Sequence, residues 1–288
     1  MGQEQQPPAT TQQPDAPRPL IQAPPQIPKV PDVRQPGETG WWLGVMGWFP
    51  IQKPIMNKGR GAAFDIPSYT QLQGKPRYAR EAELGVAMGL HNSLRFSYMD
   101  ARASGDFTAP TDLHLWDQTY AKDTFVSTDY RLQHGVISFD YLTWPFPVEG
   151  RRFRLKTLWQ FQYTGIRAGF DAPKIPITDE NGLPFVDASG NPITYGVINN
   201  RWFMGPEFGV GLAYYSGRHF RVEANAAGFT FPKRNTVWDA DASANIRYGK
   251  FEVRFGAKGF HFKTNTQNEF YLKGTLYSGF VGVRWYSD

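Results

Sequence analysis

Five histidines and a scatter of carboxylates are the residues of this chain with the chemistry to move a proton. His91 and His219 fall at short turns, where a solvated imidazole is the ordinary state. His114 lies within Thr111-Asp-Leu-His-Leu-Trp-Asp117, and His134 and His261 lie on alternating stretches. An Asp/His pair can activate water as a general base. Asp112, His114 and Asp117, with Asp239 and Asp241, are the candidates for such a pair. His91-Asn-Ser93 sets a hydroxyl beside an imidazole, but in a tight turn. No strand carries Ser and His on one face at a useful spacing. Asp179-Glu180 and Asp187 lack the spacing of a calcium loop, and with no cysteine there is no thiolate ligand or nucleophile. These residues predict no catalytic site, no metal and no cofactor.

The elements that must position such residues read as strands. From about residue 80 onward the dominant period is two. Leu84, Val86, Met88 and Leu90 share one face of a stretch whose other face is Gly85, Ala87 and Gly89. Phe153, Leu155, Thr157, Trp159, Phe161 and Tyr163 alternate with Arg152, Arg154, Lys156, Leu158, Gln160 and Gln162. Between 124 and 143 the parity shifts: Tyr130 and Leu132 share one face, then Ile137, Phe139 and Tyr141. A bulge near Gly135 accounts for this. Nine strands are expected from residue 80 on, and helical periodicity of useful length appears nowhere. Short connections at 91–93, 145–150, 216–218 and 249–250 interleave with longer ones at about 100–123, 164–198, 231–236 and 263–269. Asp179-Glu-Asn-Gly-Leu-Pro and Asp187-Ala-Ser-Gly-Asn-Pro carry two turn signals, so the longest loop is expected to hold its own small hairpin.

One hairpin tests its own register. A two-residue turn at Gly249-Lys250 suits type II′. It opposes Tyr248 to Phe251, Arg247 to Glu252, Asn245 to Arg254 and Asp241 to Lys258. The other face then opposes Ile246 to Val253, Ala244 to Phe255 and Ala242 to Ala257. A one-residue slip would set every charge against an apolar side chain. For the preceding pair, a loop at 216–218 opposes Tyr214 to Phe220, Leu212 to Val222 and Val210 to Ala224. Gly205, Gly209 and Gly211 there make room for long charged side chains on the neighbouring strand.

Alternation alone does not say which face is inside, and a soluble barrel that binds a ligand alternates too. The predicted strands of 10–14 residues exceed the usual five or six of soluble sheets. Trp202 and Tyr214, and Trp238 and Tyr248, bracket apolar faces that would span roughly 25–30 Å at a tilt near 40°. The polar face mixes both signs of charge with small residues. Lipid outside and a polar lumen inside fit all three. The chain has 16% aromatic residues, yet its mean hydropathy is only −0.48. A wall that is greasy on alternate residues produces that combination. Residues 1–38 differ: they hold 10 of the 23 prolines, eight glutamines and no aromatic residue. They read as a disordered or polyproline-like tail, with 39–288 as the barrel. No charged region followed by an apolar run opens the chain, so no intact signal peptide is visible.

At this point residues 80–288 resemble bacterial outer-membrane β-barrel proteins. The segment Gly279-Phe-Val-Gly-Val-Arg-Trp-Tyr-Ser-Asp288 is similar to the aromatic-rich final strand of such proteins, although Ser287 and Asp288 stand where the terminal aromatic would be. The resemblance implies an all-β, antiparallel, up-and-down transmembrane barrel in the outer membrane of a Gram-negative bacterium. An even strand number then requires a tenth strand before residue 80. Trp41–Phe49 and Ala63–Leu72 are the candidates, the former alternatively an interfacial anchor. Omptin proteases and outer-membrane lipases are barrels too, but no motif of either family matches here.

The lumen is the better functional object. Arg152, Arg154 and Lys156 form a basic ladder. Glu207, Glu223, Asp239, Asp241 and Glu252 supply acid, balanced by Arg221, Arg247, Arg254 and Lys258. A ten-stranded bore lies near the filled end of the range, so these charges are expected to pair and close it. Trp202, Tyr214, Phe220, Trp238, Tyr248, Phe251 and Trp285 are the expected membrane-interface aromatics. The expected role is non-enzymatic and structural, anchoring an envelope component. The alternatives are a narrow porin-like channel for weakly anionic solutes, an omptin- or lipase-type hydrolase, and a soluble binding barrel. Expected partners are outer-membrane lipid and lipopolysaccharide, with an envelope protein reached through the tail or external loops. The basic residues form no stripe with stacking aromatics, so nucleic acid is not expected despite a pI of 9.3.

Overall fold

The computed structural model describes residues 40–53, 55–60, 67–89, 91–115, 118–145, 153–216, 219–231, 234–265 and 270–287. Residues 1–38 and Arg152 lie outside them. In chain order the strands are β1 (Trp41–Pro50), β2 (Ile55–Arg60), β3 (Pro67–Gln71), β4 (Ala79–Ala87), β5 (Asn92–Thr108), β6 (Leu113–Leu115), β7 (Gln118–Tyr120), β8 (Phe125–Pro145), β9 (Phe153–Pro176), β10 (Thr194–Ser216), β11 (Phe220–Thr230), β12 (Thr236–Tyr248), β13 (Phe251–Lys263) and β14 (Phe270–Tyr286). Ten of them pair antiparallel in the order β1-β4-β5-β8-β9-β10-β11-β12-β13-β14, and β14 returns to β1 to close the barrel. The first strand is therefore Trp41–Pro50. Part of the rival segment forms β3, which pairs with β2 on the outer extension of β14.

The predicted register of β12 and β13 is the observed one, from Tyr248↔Phe251 through Asn245↔Arg254 to Asp241↔Lys258. Gly249 sits at φ 57° in the intervening turn, a left-handed conformation that glycine adopts without strain. The β10–β11 register differs from expectation by two residues: Ser216 opposes Phe220, and Tyr214 opposes Val222. A two-residue slip keeps every side chain on its face, so alternation could not detect it.

The parity shift between 124 and 143 has another origin than a bulge. Pairing of β8 with β9 runs unbroken from Ser127↔Asp171 through Gly135↔Tyr163 to Leu142↔Lys156, so Gly135 is not a bulge. Tyr130 and Leu132 are buried inside the barrel, while Ile137 and Tyr141 are exposed outside it. The backbone alternates regularly; the hydrophobicity changes faces. Within the bilayer the outward side chains are apolar. Beyond it water lies outside, and the apolar side chains turn inward as in a soluble barrel. For the same reason the segments at 100–123 and 164–198, expected as loops, are largely strand. β8, β9 and β10 reach 21, 24 and 23 residues and rise past the apolar band.

The tip between β9 and β10 holds two tight turns in place of one hairpin, with bridges Thr178↔Pro184 and Val186↔Pro192. In the first, the Asp179 carboxylate accepts the Asn181 and Leu183 amides at 2.9 and 2.8 Å. In the second, Asp187 accepts those of Ser189 and Asn191 at 2.8 and 2.9 Å. These backbone donors hold both carboxyls below the ordinary aspartate range. Because the folded values lie below the unfolded one, the stability they add is present at neutral pH and is lost as pH falls through the lowered values. Hydrogen-exchange protection of the Leu183 and Asn191 amides is thus expected to persist down to about pH 4, the unperturbed range, and to fail only below it. Loss of protection between neutrality and that range would contradict the assignment.

Candidate functional site

The bore is filled, in two layers of different chemistry. Along β13 the inward residues run Glu252, Arg254, Lys258, then Phe260 and Phe262. Along β9 they run Arg154, Lys156, Leu158, Gln160, Gln162 and Thr164, then Ile166, Ala168 and Phe170. The charged end adjoins the short turns and Trp41. The apolar end adjoins the long connections.

The charged layer is held together across the bore and not along the ladder. The Glu83 Oε1 oxygen accepts Arg254 Nη1 at 2.7 Å and Arg284 Nη2 and Nε at 2.7 and 2.9 Å. Glu252 Oε1 accepts Arg221 Nη2 at 2.9 Å, the Tyr286 hydroxyl at 3.1 Å and Arg284 Nη1 at 3.4 Å. Arg221 Nε lies 3.6 Å from Glu223, which also takes the Lys156 ammonium. Asn225 donates to Asp241 at 3.2 Å, and Arg95 stands 3.7 Å from Asp140. Neighbouring glycines supply the volume. A Cβ at Gly44 would lie 2.6 Å from the Glu83 side chain, and one at Gly211 would lie 2.4 Å from Asn225 Oδ1 and 3.3 Å from Lys156 Cε.

Two of the pairings suggested by register are replaced. Lys258 opposes Asp241 but bonds Glu81 at 2.9 Å, and Arg247 opposes Glu252 but lies 4.4 Å over the Tyr286 ring. Side chains on adjacent strands share a register, but long inward ones converge on the axis and meet partners from several strands away. Glu81, Glu83, Arg95, Asp140 and Arg284 belong to the layer and were not among the expected residues. Their signal is only alternation within short stretches, such as Glu81 and Glu83 beside Leu84 and Val86. Glu207 is fully buried, with neither oxygen hydrogen-bonded among the described residues. Asp239 faces inward near it. Arg154 is buried with its guanidinium 5.1 Å over the Tyr215 ring.

Trp48 joins the layers. It is 1% exposed, donates Nε1 to Glu81 at 2.7 Å, and lies under the Lys258 ammonium at 4.6 Å. Beyond it come Met99, Leu132, Phe260, Phe262, Leu272, Leu276 and Phe280, continuous with Ile166 and Phe170 of the outer extension. His134 is buried among them, 3.1 Å from the Thr164 hydroxyl with its ring 4.3 Å from that of Phe260. The carboxylate and imidazole candidates do not converge. Asp239 and Asp241 face the bore, His91 and His219 are exposed at the opposite end, and Asp112 accepts the Lys122 amide at 2.7 Å. The side chains of His114 and Asp117 lie outside the description. No group of three or more metal-ligating side chains gathers among the described residues.

The expected interface aromatics face outward. Trp202, Tyr248, Phe251 and Phe220 are exposed, and Tyr214, Trp238 and Trp285 are half-buried against neighbours. Tyr214 meets Phe153 at 4.8 Å, Trp285 meets Trp41 at 5.0 Å, and Trp238 stacks on His261 at 5.5 Å.

No protein-family model matches the chain, and no curated protein matches its sequence. Among solved structures, the outer membrane protease OmpT from Escherichia coli is similar with a TM-score of 0.52 at 8% identity, covering 85% of this chain and 96% of that one. The attachment invasion locus protein Ail of Yersinia pestis matches at TM-score 0.33 and 8% identity, over 86% and 99% of the two chains. The transport unit of the autotransporter AIDA-I from Escherichia coli matches at 0.39 and 10%, over 90% and 92%. At such identities the OmpT likeness establishes fold. The chain shares the fold of that outer-membrane protein: a closed antiparallel β-barrel with ten strands in its wall.

Proposed function

We propose that this barrel is a closed anchor: a non-catalytic, non-conducting wall that fixes an external β superstructure to the outer membrane. The filling of the bore carries this reading. An ion-pair layer and an apolar layer lie in series, and a solute would have to break both. An apolar constriction closes a channel by excluding water, and here Trp48, Phe260, Phe262, Leu272 and Phe280 are almost wholly buried and packed in one cluster. The extended sheet of β5, β8, β9 and β10 then gives the anchor a surface to present to an envelope partner. Planar-bilayer recording tests the proposal. Purified barrel is expected to give no steady single-channel steps. Steps of uniform size would replace the anchor by the narrow, weakly anion-preferring channel.

A further inference from the structure

The outward face just beyond the aromatic band carries cations set directly opposite one another. On β5, β8 and β9, Arg102 opposes Arg131, and Arg131 opposes Arg167. On β13 and β14, Lys263 opposes Lys273. Like charges in cross-strand register destabilise a sheet unless something neutralises them. At the first place the protein supplies a bridging counter-charge, one carboxylate shared by two of the three guanidiniums. Asp100 accepts Arg102 Nε at 2.9 Å on one oxygen and Arg131 Nε at 2.7 Å on the other. At the second place none is found among the described residues. Neither Lys263 nor Lys273 has an ion-pair partner among the described residues, and both are half-exposed.

Their height is fixed by the rows beneath them. His261 and Thr275 form the next row, joined by a 2.7 Å Nδ1–Oγ1 contact, with Trp238 stacked on the imidazole. Gly259 and Tyr277 form the row below. A Cβ on that glycine would lie 3.3 Å from the Tyr277 ring and 3.5 Å from Trp238, so both rings cover it. Lys273 thus stands four residues along its strand from an outward tyrosine, as Arg102 does from Tyr98 and Arg167 from Tyr163. Four residues at ~3.3 Å, tilted near 40°, place each cation about 10 Å above its tyrosine. Tyrosine and tryptophan sit at headgroup level, so the cations stand at the level of the outer-leaflet phosphates.

We propose that Lys263 and Lys273 bind a phosphate carried by an outer-leaflet glycolipid, which does for this pair what Asp100 does for Arg102 and Arg131. The proposal is independent of whether the bore conducts. The test uses the full chain in detergent micelles, with its unfolding temperature read from the heat-dependent change in gel mobility. Three probes are added: a diphosphorylated lipid A-type glycolipid, the same glycolipid without its phosphates, and inorganic phosphate. The phosphorylated glycolipid is expected to raise the unfolding temperature and the other two not to. In K263Q/K273Q most of that rise is expected to vanish, each neutralised lysine weakening apparent binding about fivefold. Without lipid, the same variant is expected to be at least as stable as the parent, because the repulsion is gone. R102Q, which removes a guanidinium that already has Asp100 as its partner, is expected to keep most of the rise. An undiminished rise in K263Q/K273Q overturns the site. An equal rise with dephosphorylated glycolipid overturns the phosphate, and an equal rise with inorganic phosphate overturns the lipid as its source.

Discussion

Glu83→Ala is expected to lower the stability of the folded barrel by about 3–5 kcal/mol, the usual consequence of removing one partner from a buried ion pair. The Glu83 side chain is 3% exposed, and its carboxylate receives three hydrogen bonds from two guanidiniums that are themselves nearly buried. Without it, Arg254 and Arg284 stay in the bore with their charge unmatched on that side. Arg284 retains Glu252 at 3.4 Å, and among the described residues Arg254 retains the Asn245 amide oxygen at 2.9 Å and the Phe280 ring. Urea-induced unfolding in detergent, followed by gel mobility, gives the loss. E83A/R254M/R284M is expected to recover much of it, since the uncompensated charges leave together. A single variant within about 0.5 kcal/mol of the parent would show that water enters the layer and solvates the arginines. That outcome would also weaken the closed-anchor proposal.

Phe260→Ala is the second large effect, with an expected cost of about 3–5 kcal/mol from lost burial and a residual cavity. Phe260 is fully buried against His134 and Phe262 on the inward face of β13, beyond the ion-pair layer. Phe185, at the exposed tip between β9 and β10, is the control. Phe185→Ala is expected to change stability by no more than about 0.5 kcal/mol. The same substitution at two outer positions therefore separates a packed apolar core from a merely apolar surface. Equal costs would mean that the bore does not close around Phe260. A large cost with conductance appearing in the variant would show that this layer is the tighter seal.

Much of the architecture was legible in the chain. Period-two alternation, alternating connection lengths and paired aromatics specify an up-and-down barrel, because each strand must present one face to lipid over a fixed thickness. Within β12 and β13 even the register was legible, since the charges and the apolar ladder agree on one alignment. The β10–β11 register was not, because Ala, Val and Leu on its outward face fit equally well two residues along. Alternation also could not tell whether Tyr130 and Leu132 share the face of Ile137 and Tyr141. Both groups are apolar, and only their positions relative to the bilayer edge distinguish an inward core from an outward lipid surface.

The candidate site divides the same way. Which residues are charged and on which parity they fall is written in the strands, so Arg154, Glu223, Glu252 and Arg254 were recognisable as lumenal. Who meets whom was not. Glu83 lies 171 residues from Arg254 and 201 from Arg284, and only closure of β14 onto β1 brings them to one axis. The sequence by itself determined the strands, their alternation and hence a wall suited to lipid, because those depend on local periodicity. The tertiary structure decided the transverse ion pairs, the apolar seal and the Lys263–Lys273 pair, unmatched among the described residues. These depend on curvature, on register between strands and on where the membrane ends, none of which is a property of any one segment.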